Sequence, residues 1–217
     1  MNRPEKSPEE RPRRGRPRVL SAAARRERIL DALEEVYLAG DLEAVTMDRV
    51  ARQAGMSKRT VYAGFRDRTA LLLGYLERHG ANRIEPPGAG RSAMPVDARL
   101  RDLLIVRPGG HGYGLPLDIL RALLAEALRR PEVGCDFVSR ILDRNRALVR
   151  AELDTAHRRG ELHVPDPAEA ADLLLDMVRP CLLEVLMDRT RLPGVAEVER
   201  RVDLAVQVFV RAYAAPG

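Results

Sequence analysis

The segment Thr46–Gly64 constrains the fold of this chain most, because two helix starts stand eleven residues apart with a glycine between them. Thr46 suits the N-cap of a short helix whose Met47, Val50, Ala51 and Ala54 share one apolar face. Gly55 supplies the left-handed stop. Ser57 then restarts the chain. Its hydroxyl can accept from the backbone N–H of Arg59 or Thr60, and Met56 and Val61 have hydrophobic-staple spacing. A helix, a turn at Ala54-Gly55-Met56 and a second helix ending near Gly64 make a helix-turn-helix. The second helix is too short and too polar for a core element. It exposes Lys58, Arg59, Thr60 and Tyr62 while burying Val61 and Phe65, which suits phosphates and base edges in a major groove. A structural hairpin with a solvated charged face is the competing reading.

The charge distribution points the same way. Residues 1–83 carry 18 Lys and Arg against 12 Asp and Glu, a net +6, whereas residues 84–217 carry 19 against 20, a net −1. A basic module joined to a near-neutral one implies a polyanion partner for the first alone. Only Lys6 and Lys58 are lysines among the 37 basic residues, so lysine is the less expected choice at any position. Residues 1–20 mix Pro, Gly and charge without an apolar period and read as a disordered basic arm. Within it, Gly15-Arg16-Pro17 flanked by arginines resembles an AT-hook core. Arg14, Arg16 and Arg18 would then lie in a narrow A·T minor groove; the alternative is a solvated tail.

Helical periodicity continues along the chain. Ser21 to Ala39 forms one helix with Ile29, Leu33, Val36 and Tyr37 as its stripe, and Asp67 caps a fourth carrying Leu71, Leu72, Tyr75, Leu76 and His79. Residues 84–95 read as a boundary or long loop, and Pro108 to Gly114 as a second loop. A long helix is expected from about Glu132 to Arg159. Another starts at Asp166-Pro167 and runs to about Thr190 with a bend at Pro180, and a last one spans about Val195 to Ala214. No segment alternates as a strand does. The expected fold is all-α with about nine helices: a disordered arm over 1–20, a three-helix DNA-binding domain over 21–66, and a second helical domain over 67–217.

The second domain offers no catalytic constellation. The four histidines form no HxxxH or HExxH pattern, the glycines of 109–114 make no phosphate loop, and two distant cysteines indicate neither a disulfide framework nor a metal site. No enzyme, metal or cofactor is expected, and no membrane span; a cytoplasmic location fits. Cys181 reads as a buried small hydrophobe, with a redox-sensing thiol as the competing reading. The helix over 166–190 is apolar around most of its circumference and must be covered on two sides, one of them by a partner subunit, with 195–214 as its companion. Its Asp172, Asp176 and Arg179 read as a solvated rim. A mainly aliphatic pocket could be lined by Leu103, Leu104, Leu120, Leu124, Phe137, Ile141 and Met177, with Arg144 and Asn145 adding polarity; each apolar member could equally be core.

The stretch "TMDRVARQAGMSKRTVYAGFRDRTALL" closely resembles the DNA-binding signature of the tetracycline-repressor (TetR) family. It does so through Thr46, Val50-Ala51, Ala54-Gly55-Met56-Ser57, Thr60-Val61-Tyr62, Phe65 and the Asp67-to-Leu71 helix entry. "LPLDILRALLAEALRRP" and "AHRRGEL" resemble the family's regulatory domain more loosely. The resemblance implies that 67–217 is a ligand-binding and dimerisation domain, and that the chain forms a homodimer that pairs through its last two helices, binds a double-stranded operator, and is released by a small-molecule effector. It implies phosphate contacts from Thr46, Ser57, Tyr62 and Arg68, and base or nearby backbone contacts from Lys58, Arg59 and Thr60. The pattern departs at Ala63-Gly64, where many relatives carry a larger side chain, so a phosphate contact from that side chain is missing. The alternative function is a non-specific architectural DNA-binding protein that uses the AT-hook-like arm.

Overall fold

The computed structural model describes residues 20–81, 90–105, 116–179 and 181–215. The arm with Arg14, Arg16 and Arg18, the glycine-rich stretch 108–114 and Pro180 lie outside the described residues. The chain is helical: α1 (Ala22–Leu38), α2 (Met47–Gln53), α3 (Lys58–Gly64), α4 (Arg68–Ala81), α5 (Val96–Leu104), α6 (Leu117–Ala127), α7 (Pro131–Phe137), α8 (Asp143–Arg158), α9 (Pro167–Val178), α10 (Leu182–Met187) and α11 (Val195–Ala212). Among the described residues no strand forms; one isolated bridge pairs Leu162 with Ala214.

The helix starts follow local chemistry. The Ser21 hydroxyl accepts from Ala24 N–H at 3.1 Å, and an Asp67 oxygen accepts from Ala70 N–H at 2.7 Å. Asp166 accepts from the N–H groups of Ala168 and Glu169, with Pro167 in the first helical position.

Two long helices differ from expectation. The one foreseen over 132–159 is α7 and α8 joined by a π turn at Val138–Leu142, which admits an extra residue into the ladder. The one foreseen to bend at Pro180 is two helices, α9 ending at Val178 and α10 starting at Leu182. Arg179 takes an extended conformation (φ −74°, ψ 138°), as the residue before a proline is driven to do, and α10 starts afresh at Leu182. The break leaves Cys181 exposed rather than buried. Asp172 and Asp176 are exposed, and Asp172 accepts from Arg146 at 2.7 Å, whereas Arg179, the third member of the expected rim, is half-buried and its pKa is lowered by burial.

Packing divides the chain differently from residues 66/67. One core joins α1 to α4 with Ile119 and Leu123 of α6 and Val133 of α7. The other joins α5, α8, α9 and α11 around Leu100, Leu153, Leu174 and Phe209. The first three helices are thus packed directly on α6 and α7, and α4 belongs to their core.

Arg99 ties the second body together. Its side chain is 2% exposed. Its Nε donates to Glu152 at 2.6 Å, its terminal nitrogens to Glu161, and one of these also to the Met94 carbonyl at 2.7 Å. The hydrogen bonds to Glu161 raise the Arg99 pKa against the opposing effect of burial, and the guanidinium in turn lowers the Glu161 pKa. The start of α5, the middle of α8 and the chain beyond Gly160 are clamped at one point.

Candidate nucleic-acid interface

The reading surface is built from two caps and one turn. Thr46 Oγ1 accepts from Arg49 N–H at 3.2 Å and starts α2. Gly55 adopts φ 63°, a left-handed conformation strained for other residues, and lets Met56 N–H bond back to the Ala51 carbonyl at 3.0 Å. Ser57 Oγ accepts from Thr60 N–H at 3.1 Å and lies 2.8 Å from the Thr60 hydroxyl. Val50, Ala51, Ala54 and Val61 are buried beneath, so the opposite side of α3 must face outward.

Thr46, Ser57, Lys58, Arg59 and Tyr62 are exposed on this surface, and Thr60 is half-buried with its hydroxyl turned to Ser57. The Tyr62 ring is 50% exposed. Arg49 and Arg52 of α2 are exposed as well. Arg68 differs from the expectation. Its guanidinium donates to the carbonyls of Val45 and Leu42, each at 2.6 Å, and holds the turn between α1 and α2. A basic residue at a helix start looks alike in sequence whether it faces phosphate or buried carbonyls.

Two residues outside the expected set shape the surface. Asp48 accepts from Lys58 Nζ at 2.5 Å. It is the only acidic residue between positions 46 and 66, which also hold five cations, and that oddity was visible in the sequence. Gly74 lies inside α4, where a glycine weakens a helix without an evident local reason. A Cβ there would sit 2.6 Å from the Phe65 ring and 3.0 Å from an Arg26 nitrogen. Phe65 closes α3 by donating its N–H to the Val61 carbonyl at 2.9 Å, and Arg26 covers the ring face at 4.5 Å. Gly74 is therefore the seat on which the recognition helix ends.

The expected ligand lining does not converge. Leu103 and Leu104 are buried in the second core with Met177 packed against it, whereas Leu120, Phe137 and Ile141 pack on the first. Leu124 is exposed, and Arg144 and Asn145 are half-buried. Spacing marks an apolar side chain as inward-facing but does not say which of two cores receives it. Clefts of about 230 and 250 Å³ open elsewhere, one over Phe65, Leu73 and Val133, the other over Val178, Val185 and Val198. Among the described residues no three His, Cys, Asp or Glu are grouped to hold a metal ion, and no helix is long and apolar enough to cross a membrane.

Known proteins resemble both parts. Residues 29–75 match the family described as bacterial regulatory proteins, tetR family, and residues 116–215 match the AefR-like transcriptional repressor C-terminal domain. Together the two stretches cover more than half of the chain. The HTH-type transcriptional regulator AlkX of Mycobacterium tuberculosis is 41% identical over 58 residues, 27% of this chain and 28% of that protein. Another HTH-type regulator of the same organism is 27% identical over 161 residues, 74% of this chain and 75% of its own. The structure of a TetR-family regulator from Mesorhizobium loti shares the fold with a TM-score of 0.64 at 22% identity, covering 90% of this chain and 100% of that one.

Proposed function

The chain belongs to the TetR family of DNA-binding transcriptional regulators, and on that premise we propose that it is a homodimeric repressor released from its operator by a small molecule. One observation carries the reading: Lys58, Arg59 and Tyr62 stand exposed on a seven-residue helix anchored by the fully buried Val61. Arg59 and Lys58 reach base edges or nearby backbone. Thr46, Ser57 and Tyr62 grip phosphates. The decisive experiment is a gel shift on the DNA upstream of the gene, together with selection from a randomised duplex pool. A defined half-site repeated about one helical turn (~10 bp) or a multiple apart is expected. Equal binding to bulk duplex would sink the reading in favour of the architectural one.

The contacts separate by their sequence dependence. Tyr62→Phe loses about 1 kcal/mol or more on every sequence, because a phosphate contact carries no base information. Arg59→Ala loses about 1–3 kcal/mol at one base step only, if its fork reads guanine. Competition binding against single-base operator variants checks both, and the opposite pattern exchanges the two roles.

The dimer is proposed to form through α9, α10 and α11. Leu173, Leu182, Leu183, Met187, Leu204 and Val208 are exposed there in a single chain, with Met187 78% in water. Leu183→Glu combined with Leu204→Glu is expected to give the 24.2 kDa monomer in sedimentation at micromolar concentration and to abolish tight operator binding. A dimer that survives both charges moves the interface elsewhere. The effector is proposed to lodge in the helical domain.

A further inference from the structure

Asp48 stands where a DNA-binding surface has least use for a carboxylate. It occupies the first turn of α2, two residues after the Thr46 cap, and its neighbours Arg49, Arg52, Lys58 and Arg59 are exposed cations. Its place near a helix start accounts for part of its stability there. It does not account for the partner. The Lys58 ammonium reaches across from the first position of α3 and donates to Asp48 Oδ2 at 2.5 Å, with both side chains more than half exposed. One of only two lysines in the chain is thus held by the one acid in the segment.

We infer that Asp48 is a specificity-determining residue: its carboxylate holds Lys58 and repels phosphate, weakening attachment to bulk DNA, and operator contact draws Lys58 away. Non-specific attachment is almost wholly electrostatic, so one carboxylate in the surface penalises it in full. At an operator, base contacts fix the register and supply free energy that offsets breaking the ion pair, which random duplex does not supply. The penalty there is partly offset, and the ratio between the two modes rises. The inference rests on the operator-binding reading above.

The test uses the full-length dimer with a labelled operator duplex from the selection and a random duplex of equal length, over a range of salt. Asp48→Asn keeps the shape and removes the charge. It should tighten binding to random duplex roughly 3- to 10-fold near 0.15 M salt, steepen the log–log salt slope by about 0.9, and tighten operator binding less. In a Lys58→Gln background the gain should shrink markedly, because no lysine remains to be released. Loss of operator affinity with random binding unchanged would overturn the inference and make Asp48 a base reader, such as an acceptor for cytosine N4. An undiminished gain in the Lys58→Gln background would also overturn it, because the carboxylate would then act without the lysine. A wild-type protein without preference between the two duplexes would defeat the operator reading itself. Preference in the wild type with no effect of Asp48→Asn would defeat this inference alone.

Discussion

Arg99→Met is expected to lower the melting temperature by about 6–12 °C. Removing one partner of a buried ion pair costs about 3 kcal/mol or more, and a chain of this size loses roughly 2–4 °C per kcal/mol. The loss arises from what is left behind. Glu152, 8% exposed, would lose the guanidinium that it is buried against, and the Met94 carbonyl would lose its donor. Glu161 is partly exposed and can turn to water. The double variant Arg99→Met with Glu152→Met should therefore recover much of the stability, because no buried charge remains. Thermal denaturation of the single and double variants decides this. A double variant less stable than the single would mean that Arg99 and Glu152 contribute through packing alone.

The same clamp sets a pH dependence. The folded-state pKa of Glu161 is lowered, chiefly by its hydrogen bonds to Arg99. Its contribution is complete above the unfolded value of about 4.3 and is lost as pH falls through the depressed folded value. The stability gap between wild type and Arg99→Met should narrow as the solution is acidified below about pH 4.

Gly74→Ala is expected to weaken operator binding about tenfold while changing stability much less. Alanine suits a helix interior better than glycine by about 1 kcal/mol, whereas forcing a methyl into a filled space costs typically about 1–3 kcal/mol. These terms largely cancel in the melting temperature. They do not cancel in geometry. The new Cβ would lie 2.6 Å from the Phe65 ring, so the ring must move, and Phe65 ends the recognition helix. A displaced helix end misaligns Arg59 and Tyr62 against a fixed groove. Phe65→Leu in the same chain shortens the offending side chain and should restore part of the affinity. Full operator affinity in Gly74→Ala, with a raised melting temperature, would show that the ring relocates without moving α3.

The reading head was legible in the sequence because its signals are local. Thr46 and Ser57 each accept from an N–H three residues on, and Gly55 bends the chain on its own. These interactions lie within single turns, so the residue types at fixed spacing specify them. A proline's effect on the preceding residue is local too, yet two helices, α9 ending at Val178 and α10 starting at Leu182, stand where one bent helix was expected.

Other features were decided in three dimensions. Arg68 turns inward because the carbonyls of Leu42 and Val45 come to rest beside it, more than twenty residues away in the chain. Of the nine residues expected to line one pocket, six divide between two cores, Leu120, Phe137 and Ile141 on one and Leu103, Leu104 and Met177 on the other, because α6 and α7 pack on the reading head while α5 and α9 do not. Asp48 meets Lys58 only once the turn has folded α3 against α2. Local spacing was enough to set the helices, their caps, the helix-turn-helix and the family. Which cations remain available to DNA, and which leucines belong to which core, the tertiary structure alone decided. Caps are satisfied by near neighbours, whereas a buried side chain or an ion pair takes its partner from whatever the packing brings within reach.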